Sequence, residues 1–193
     1  MNRDDTISSH TKSAAGELAR TWGGGQPKVH RHWDEPEENW VGIATRADCP
    51  RMGVTAFGTL GLSEHSLGFS NDLRVEIIGA CATTTDLSSV LATCAFNVIK
   101  DAWPMRPGAI HNDVLQMYDL SRTLAHVMFV APFLWNDGPK TLHLDGRTVT
   151  WLMAVPISES ELVYAERNGA DALNALFETR QIDIFDINRL PVM

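Results

Sequence analysis

Three stretches carry side chains that could do chemistry. "GLSEH", residues 61–65, sets Ser63 where a nucleophile elbow of the form G-x-S-x-G holds its serine. The elbow's second glycine is replaced by His65, which crowds the tight turn. One reading is a hydrolase using Ser63 with His65 or a more distant histidine; the other is a polar residue at a strand end. "KVHRHW" sets His30 and His32 two apart. On a strand that spacing puts both imidazoles on one face, within reach of one zinc ion. Zinc asks for a third and fourth ligand, so exposed strand histidines are the plainer reading.

The third stretch is "RQIDIFDINR", where Asp183, Asp186 and Asn188 lie between Arg180 and Arg189. An EF-hand loop needs a glycine and a twelfth-position glutamate, and neither follows here. Acid–base work by two carboxylates needs environments that separate their pKa values. A short terminal strand and turn offers no such contrast. Asp183 and Asp186 therefore read as groups that solvate an edge, cap a turn and pair with Arg180 or Arg189. Cys81 and Cys94 sit among apolar residues and read as inert core thiols. His126 lies inside an apolar run and reads as a satisfied sheet histidine. There is no P-loop and no G-x-G-x-x-G, so no cofactor and no metal are expected.

The elements that hold these groups follow from periodicity. Residues 6–21 read as a polar helix ended by the glycines at 23–25. "KVHRHW", "WVGIATRA", "MGVTAFGTLGLS" and "DLRVEIIGACA" read as strands; in the last, Leu73, Val75 and Ile77 alternate with Arg74 and Glu76. The period then changes. Leu87, Val90, Leu91, Cys94 and Val98 make a helical stripe, with Asp86 where an N-cap belongs and "PMRPG" as the stop. "DVLQMYDL", "LAHVMFVAPFLW" and "RTVTWLMAVPI" resemble buried strands, the last two joined by an Asp145-Gly146 hairpin turn. Ser158 and Glu161 have capping-box spacing, and Asn168-Gly169 ends that helix. A second helix carries Leu173, Leu176 and Phe177, and "IDIFDI" alternates as a last strand. The expected architecture is α/β (α+β): one layered domain over residues 1–193, a mixed β-sheet flanked by helices, with an N-terminal helix and turn in 1–25.

Charge and composition narrow the partners. Net charge is −8, with four acids packed into "DEPEE" (34–38) and no basic stripe, so nucleic acid is not an expected partner. The apolar run "VMFVAPFLW" is too short to span a bilayer, and the N-terminus lacks a signal-like apolar region. Three cysteines without a C-x-x-C fit a reducing compartment, so the expected location is the cytoplasm. Trp135, where an apolar strand meets a turn, reads equally as core or as an exposed anchor.

"TLGLSE", "DLRVEIIG", "APFLWND", "VPISESEL", "NGADALNALFE" and "IDIFDINR" occur in this order. Taken together they resemble the suppressor of fused family, most strongly over residues 140–190. Pro156-Ile157-Ser158, Glu161-Leu162, Gly169, Leu173, Asp186 and Arg189 match its pattern. The resemblance implies a mixed α/β binding module and not an enzyme. The animal proteins join such a domain to a second one and grip a transcription factor. They carry an acidic anchor after a glycine; here the resemblance puts Ala109, after Gly108, at that position, and no second domain is expected. Stand-alone bacterial members resemble immunity proteins of polymorphic toxin systems. The resemblance thus implies a toxin-neutralising protein that covers a basic toxin domain. The expected surface comprises Glu35, Glu37, Glu38, Trp135, Asp183 and Asp186. The rival readings are a hydrolase at Ser63, a metal enzyme at His30 and His32, and a scaffold that adds a peptide strand to an open sheet edge.

Overall fold

A computed structural model of the chain describes residues 7–193 except 36, 67 and 69. Its eight strands form a single mixed sheet. β1 (Lys28–Trp33), β2 (Trp40–Ala47), β3 (Val54–Leu60) and β4 (Leu73–Ala82) run antiparallel as a meander. β5 (Ile110–His111), β6 (His126–Val130), β7 (Leu142–Leu144) and β8 (Arg147–Ile157) complete it, in the order β1-β2-β3-β4-β8-β6-β5. The β4–β8 pair is parallel. On its other edge β8 pairs antiparallel with β7 and then with β6. The Asp145-Gly146 turn forms, with Leu144 opposite Arg147 and Gly146 at a φ of 79°, but it joins the short β7, and not β6, to β8.

Both faces of the sheet are covered. Along β4, Val75, Ile77 and Cys81 point into one core, together with Val127, Phe129 and Leu152. Helix α2 (Ser88–Asp101) closes that face with Val90, Leu91, Cys94 and Val98, the stripe that the spacing predicts. The intervening Ile78 and Ala80 point into a second core, shared with Met128, Val130 and Val155. Helices α1 (Ser9–Thr21), α3 (Glu159–Asn168) and α4 (Ala170–Arg180) supply its lid through Leu18, Leu162 and Phe177. Full burial of a side chain such as Phe129 contributes about 1.5–3 kcal/mol. Because the second face is covered, Arg74 and Glu76 are buried rather than solvated.

Local signals set the helix ends. Ser8 caps α1 by accepting from the Thr11 amide. The expected start at Thr6 lies outside the described residues. Ser158 and Glu161 form the full capping box at α3. At α2 the expectation shifts by one residue. Leu87 is the cap, while Asp86 accepts from the Ser88 amide at 2.8 Å as a local turn.

Two expected strands are absent. "DVLQMYDL" folds as turns and a 3-10 turn, Gln116–Tyr118, with Asp113 and Asp119 at φ 58° and 52°. Left-handed residues break the extended ladder that a strand needs. "IDIFDI" is also not a strand; residues 181–193 form a strap of turns across the sheet. No helix among the described residues is long and apolar enough to cross a membrane.

Candidate functional site

The residues that converge do so on the α2 side. Helix α2 presents Ser89, Thr93, Phe96, Asn97 and Lys100 at three- and four-residue steps. Trp33, Asp34 and Glu35, at the end of β1, face this stripe, and Met117 and Tyr118 close the third side. The space between is a groove of about 440 Å³. Met117 is 65% exposed and Tyr118 is 39% exposed, so its wall is a wet apolar surface. Tyr118 is tied to α2, its hydroxyl 2.5 Å from Thr93 Oγ1.

Asp34 organises the hairpin beside the groove. Its Oδ1 accepts from the amides of Glu38 and Asn39 at 2.9 and 2.8 Å. Its Oδ2 accepts from the Asn39 side chain at 2.9 Å, with Lys100 Nζ at 3.3 Å. The Asn39 side chain and amide, before any other group, hold the Asp34 carboxyl down to about 2. Lys100 Nζ also donates to the Glu35 carbonyl at 2.5 Å. Asp34 is thus committed to the loop, whose exposed acids are Glu35, which lines the groove, and Glu37 and Glu38 just after it. Burial lowers the pKa of His32, so at neutral pH it adds no positive charge to the groove. The arrangement is a concave patch with aromatic walls and an acidic lip. It can bury a partner's side chain and favour a basic one.

The expected catalytic groups lie elsewhere and are spent. Ser63 is fully buried, and its Oγ donates to Glu76 Oε1 at 2.7 Å. The same carboxyl accepts from the amides of Gly61 and Ser63 at 3.0 and 3.1 Å and from Thr59 Oγ1 at 2.6 Å. This is a closed knot under the turn after β3, not an exposed nucleophile, and it overturns the Ser63 hydrolase reading. Burial raises the Glu76 pKa against these donors. His30 and His32 lie on the edge strand β1. Among the described residues no three His, Cys, Asp or Glu side chains gather where an ion could be held. His126 is buried, with Nδ1 accepting from the Asp113 amide and Nε2 2.9 Å from Glu159.

The expected partner residues divide. Trp135 is only 9% exposed, its indole N–H directed at Cys49 Sγ, so the core reading holds and Trp135 is not a surface anchor. Asp183 accepts from the Phe185 amide and pairs loosely with Arg51 at 3.5 Å; Asp186 accepts from the Asn188 amide. Arg189 pairs with Glu161 instead of with these acids. Arg51 lies in the turn after β2, whereas Glu35 lies in the turn before it. The length of β2, about 25 Å, therefore separates the two acidic groups. Glu35, Glu37 and Glu38 share one end with the groove; Asp183 and Asp186 do not. Sequence reasoning missed Phe96, Met117, Tyr118 and Lys100. Phe96 stands off the main apolar stripe of α2, which was the available signal.

The suppressor of fused protein family (SUFU) matches residues 37–190 of the chain. The chain is also 44% identical over 174 residues to the immunity protein YqcF of Bacillus subtilis (strain 168), covering 88% of this chain and 91% of that one. This chain belongs to the suppressor of fused family. The resemblance read from the order of its motifs is borne out, as is the mixed α+β fold. The suppressor of fused homolog from Neisseria gonorrhoeae FA 1090 superposes with a TM-score of 0.70 at 15% identity, over 95% of this chain and 96% of that one. A chain of the Sufu–Fu complex superposes at 0.63 with 11% identity, over 94% and 91%. At those identities the likeness shows the fold. A suppressor of fused domain is a protein-binding module, so the groove is a candidate surface for a protein. Ala109, after Gly108, packs against the core beside β5.

Proposed function

We propose that this suppressor of fused domain is a cytoplasmic immunity protein that neutralises a cognate bacterial toxin by binding and covering it. The observation that carries the reading is the 44% identity, over 88% of the chain, to a relative named an immunity protein. The α2 groove supports it with the right physics. Glu35, Glu37 and Glu38 meet a basic toxin surface, and the net charge of −8 speeds the encounter. Phe96, Met117 and Tyr118 then exclude water from the contact. Asp183 and Asp186 join the contact only with a toxin that spans the sheet. The protein acts as one domain, without turnover, since Ser63 is locked to Glu76. Strand addition is the weaker reading, because the long free edge, β1, is guarded by Lys28 and Arg31.

Co-expression with a candidate toxin domain from a neighbouring gene tests the proposal. Wild-type protein restores growth, and Glu35→Lys with Glu38→Lys, both at exposed positions, abolishes protection without loss of folded protein. A toxin that stays lethal beside abundant folded wild-type protein overturns it.

A further inference from the structure

We propose a second protein-binding site, on the face of the sheet opposite the α2 groove, that takes an apolar side chain of a partner polypeptide with a basic residue next to it. The site is a groove of about 480 Å³, within the range of pockets that bury a ligand. Val130 and Val155 form its floor, and both belong to the core under α4 rather than the core under α2. Phe177 of α4 makes one wall; Ile182 and Ile184 of the C-terminal strap close it. Phe133 stands at the lip, 58% exposed, an aromatic ring left in water. The alternation of "IDIFDI" thus has a use. Its first two isoleucines, Ile182 and Ile184, line a groove while Asp183 turns to Arg51.

The groove is built rather than collapsed, because the strap is pinned along its length. The Phe185 carbonyl accepts from the Ala82 amide at 2.9 Å, and the Ile187 carbonyl from Ser121 Oγ at 2.6 Å. Arg189 is locked to Glu161 beyond them. A pocket held open in this way binds without the entropy of ordering its own wall.

Charge and hydrogen bonding choose the occupant. Glu178 is the charged residue among those lining the groove, is exposed, and makes no side-chain pairing among the described residues. It sits in the last turn of α4, where the helix end adds partial negative charge. Both effects favour a cation and oppose an acid. Asn174 and Gln181 also line the groove, and their side-chain amides bond to nothing among the described residues. Each offers a donor and an acceptor, the complement of a peptide backbone and more than a bare hydrocarbon chain can use. The inference does not rest on the toxin reading, and its site shares no residue with the α2 groove.

The test is an NMR titration of the full chain with two acetylated, amidated pentapeptides, Ala-Phe-Leu-Lys-Ala and Ala-Phe-Leu-Glu-Ala. The lysine peptide is expected to shift groove resonances and to bind about fivefold or more tightly than the glutamate peptide, an exposed-charge effect. Glu178→Gln should bring the two within about twofold, and Phe133→Ala should weaken both about fivefold. Both positions are exposed, so both variants keep the fold. Equal affinity for the two peptides, or a preference unchanged in Glu178→Gln, overturns the proposal. So does a groove that responds to 3-phenylpropylammonium and to neither peptide.

Discussion

Arg189 holds Glu161 with both of its terminal nitrogens, at 2.6 and 2.9 Å, inside the protein. The same carboxylate accepts from the Ser158 amide at 2.9 Å and the Val192 amide at 3.0 Å. Arg189 also donates to the Pro156 carbonyl and lies over the Phe177 ring. One ion pair thus fastens the end of the chain to α3, β8 and α4. Burial alone would raise the Glu161 pKa, but the Arg189 hydrogen bonds and the two amides hold it below its usual value.

Removing one partner leaves the other charge buried and alone. Arg189→Leu should therefore destabilise the fold by about 3–5 kcal/mol, read as a lower urea midpoint. The strap should loosen first, seen as faster amide exchange at Val192 and Ile187. Because the folded carboxyl titrates below its unfolded value, its stabilisation is full above the unfolded pKa and fades as pH falls through the folded one. Wild-type stability should show this acid limb, and Glu161→Gln should flatten it.

Glu76 gives the opposite case, a buried carboxyl with donors and no cation. Glu76→Leu strands the amides of Gly61 and Ser63, which at about 1–3 kcal/mol each should destabilise by several kcal/mol in denaturant titration. Glu76→Gln keeps an acceptor oxygen for them and should lose far less. Its raised pKa makes the folded form bind the proton more tightly. Stability should fall as pH rises between the unfolded and folded values, and Glu76→Gln should remove that fall.

Asp34 titrates in the other direction. Its carboxyl is held at about 2, so the hairpin bonds persist above the unfolded pKa and fail as pH drops toward that value. An NMR pH titration should move the Glu38 and Asn39 amides together, with a midpoint near 2. Asp34→Asn should disorder the rim acids and weaken partner binding at neutral pH.

Gly58 sets how closely α1 approaches the sheet. A Cβ there would sit 2.7 Å from Leu18 Cδ1 and 3.3 Å from Cδ2, and Leu18 is fully buried. Gly58→Ala should force α1 outward and destabilise by about 1–3 kcal/mol, seen in the thermal midpoint.

Local chemistry was legible from the residues themselves. The Ser158–Glu161 box and the Asp145-Gly146 turn involve partners within three residues, so type and spacing suffice to place them. The stripe of α2, the alternation of β4 and the apolar run of β8 likewise predicted the sheet and its helix. The order of motifs was enough to identify the family. Of the candidate site, Glu35, Glu37 and Glu38 were legible as a charge run, because such a run is local too.

The rest depended on contacts between distant segments. "IDIFDI" and "DVLQMYDL" have strand-like patterns, but a strand also needs a neighbour's hydrogen bonds. Among the described residues the strap finds a single such bond to a strand, from Ala82 to Phe185. Nothing near Ser63 in the chain announces Glu76, 13 residues on, and nothing near Arg189 announces Glu161, 28 residues back. Trp135 became core because Cys49 lies 86 residues away in sequence and 3.4 Å away in space. The residue pattern determined the helices, the central strands and the family to which the chain belongs, since those follow from short-range periodicity and order. Only the tertiary structure decided which polar groups are consumed inside and which acids share a surface with exposed rings. Burial and long-range pairing are properties of the packed molecule and not of any one stretch.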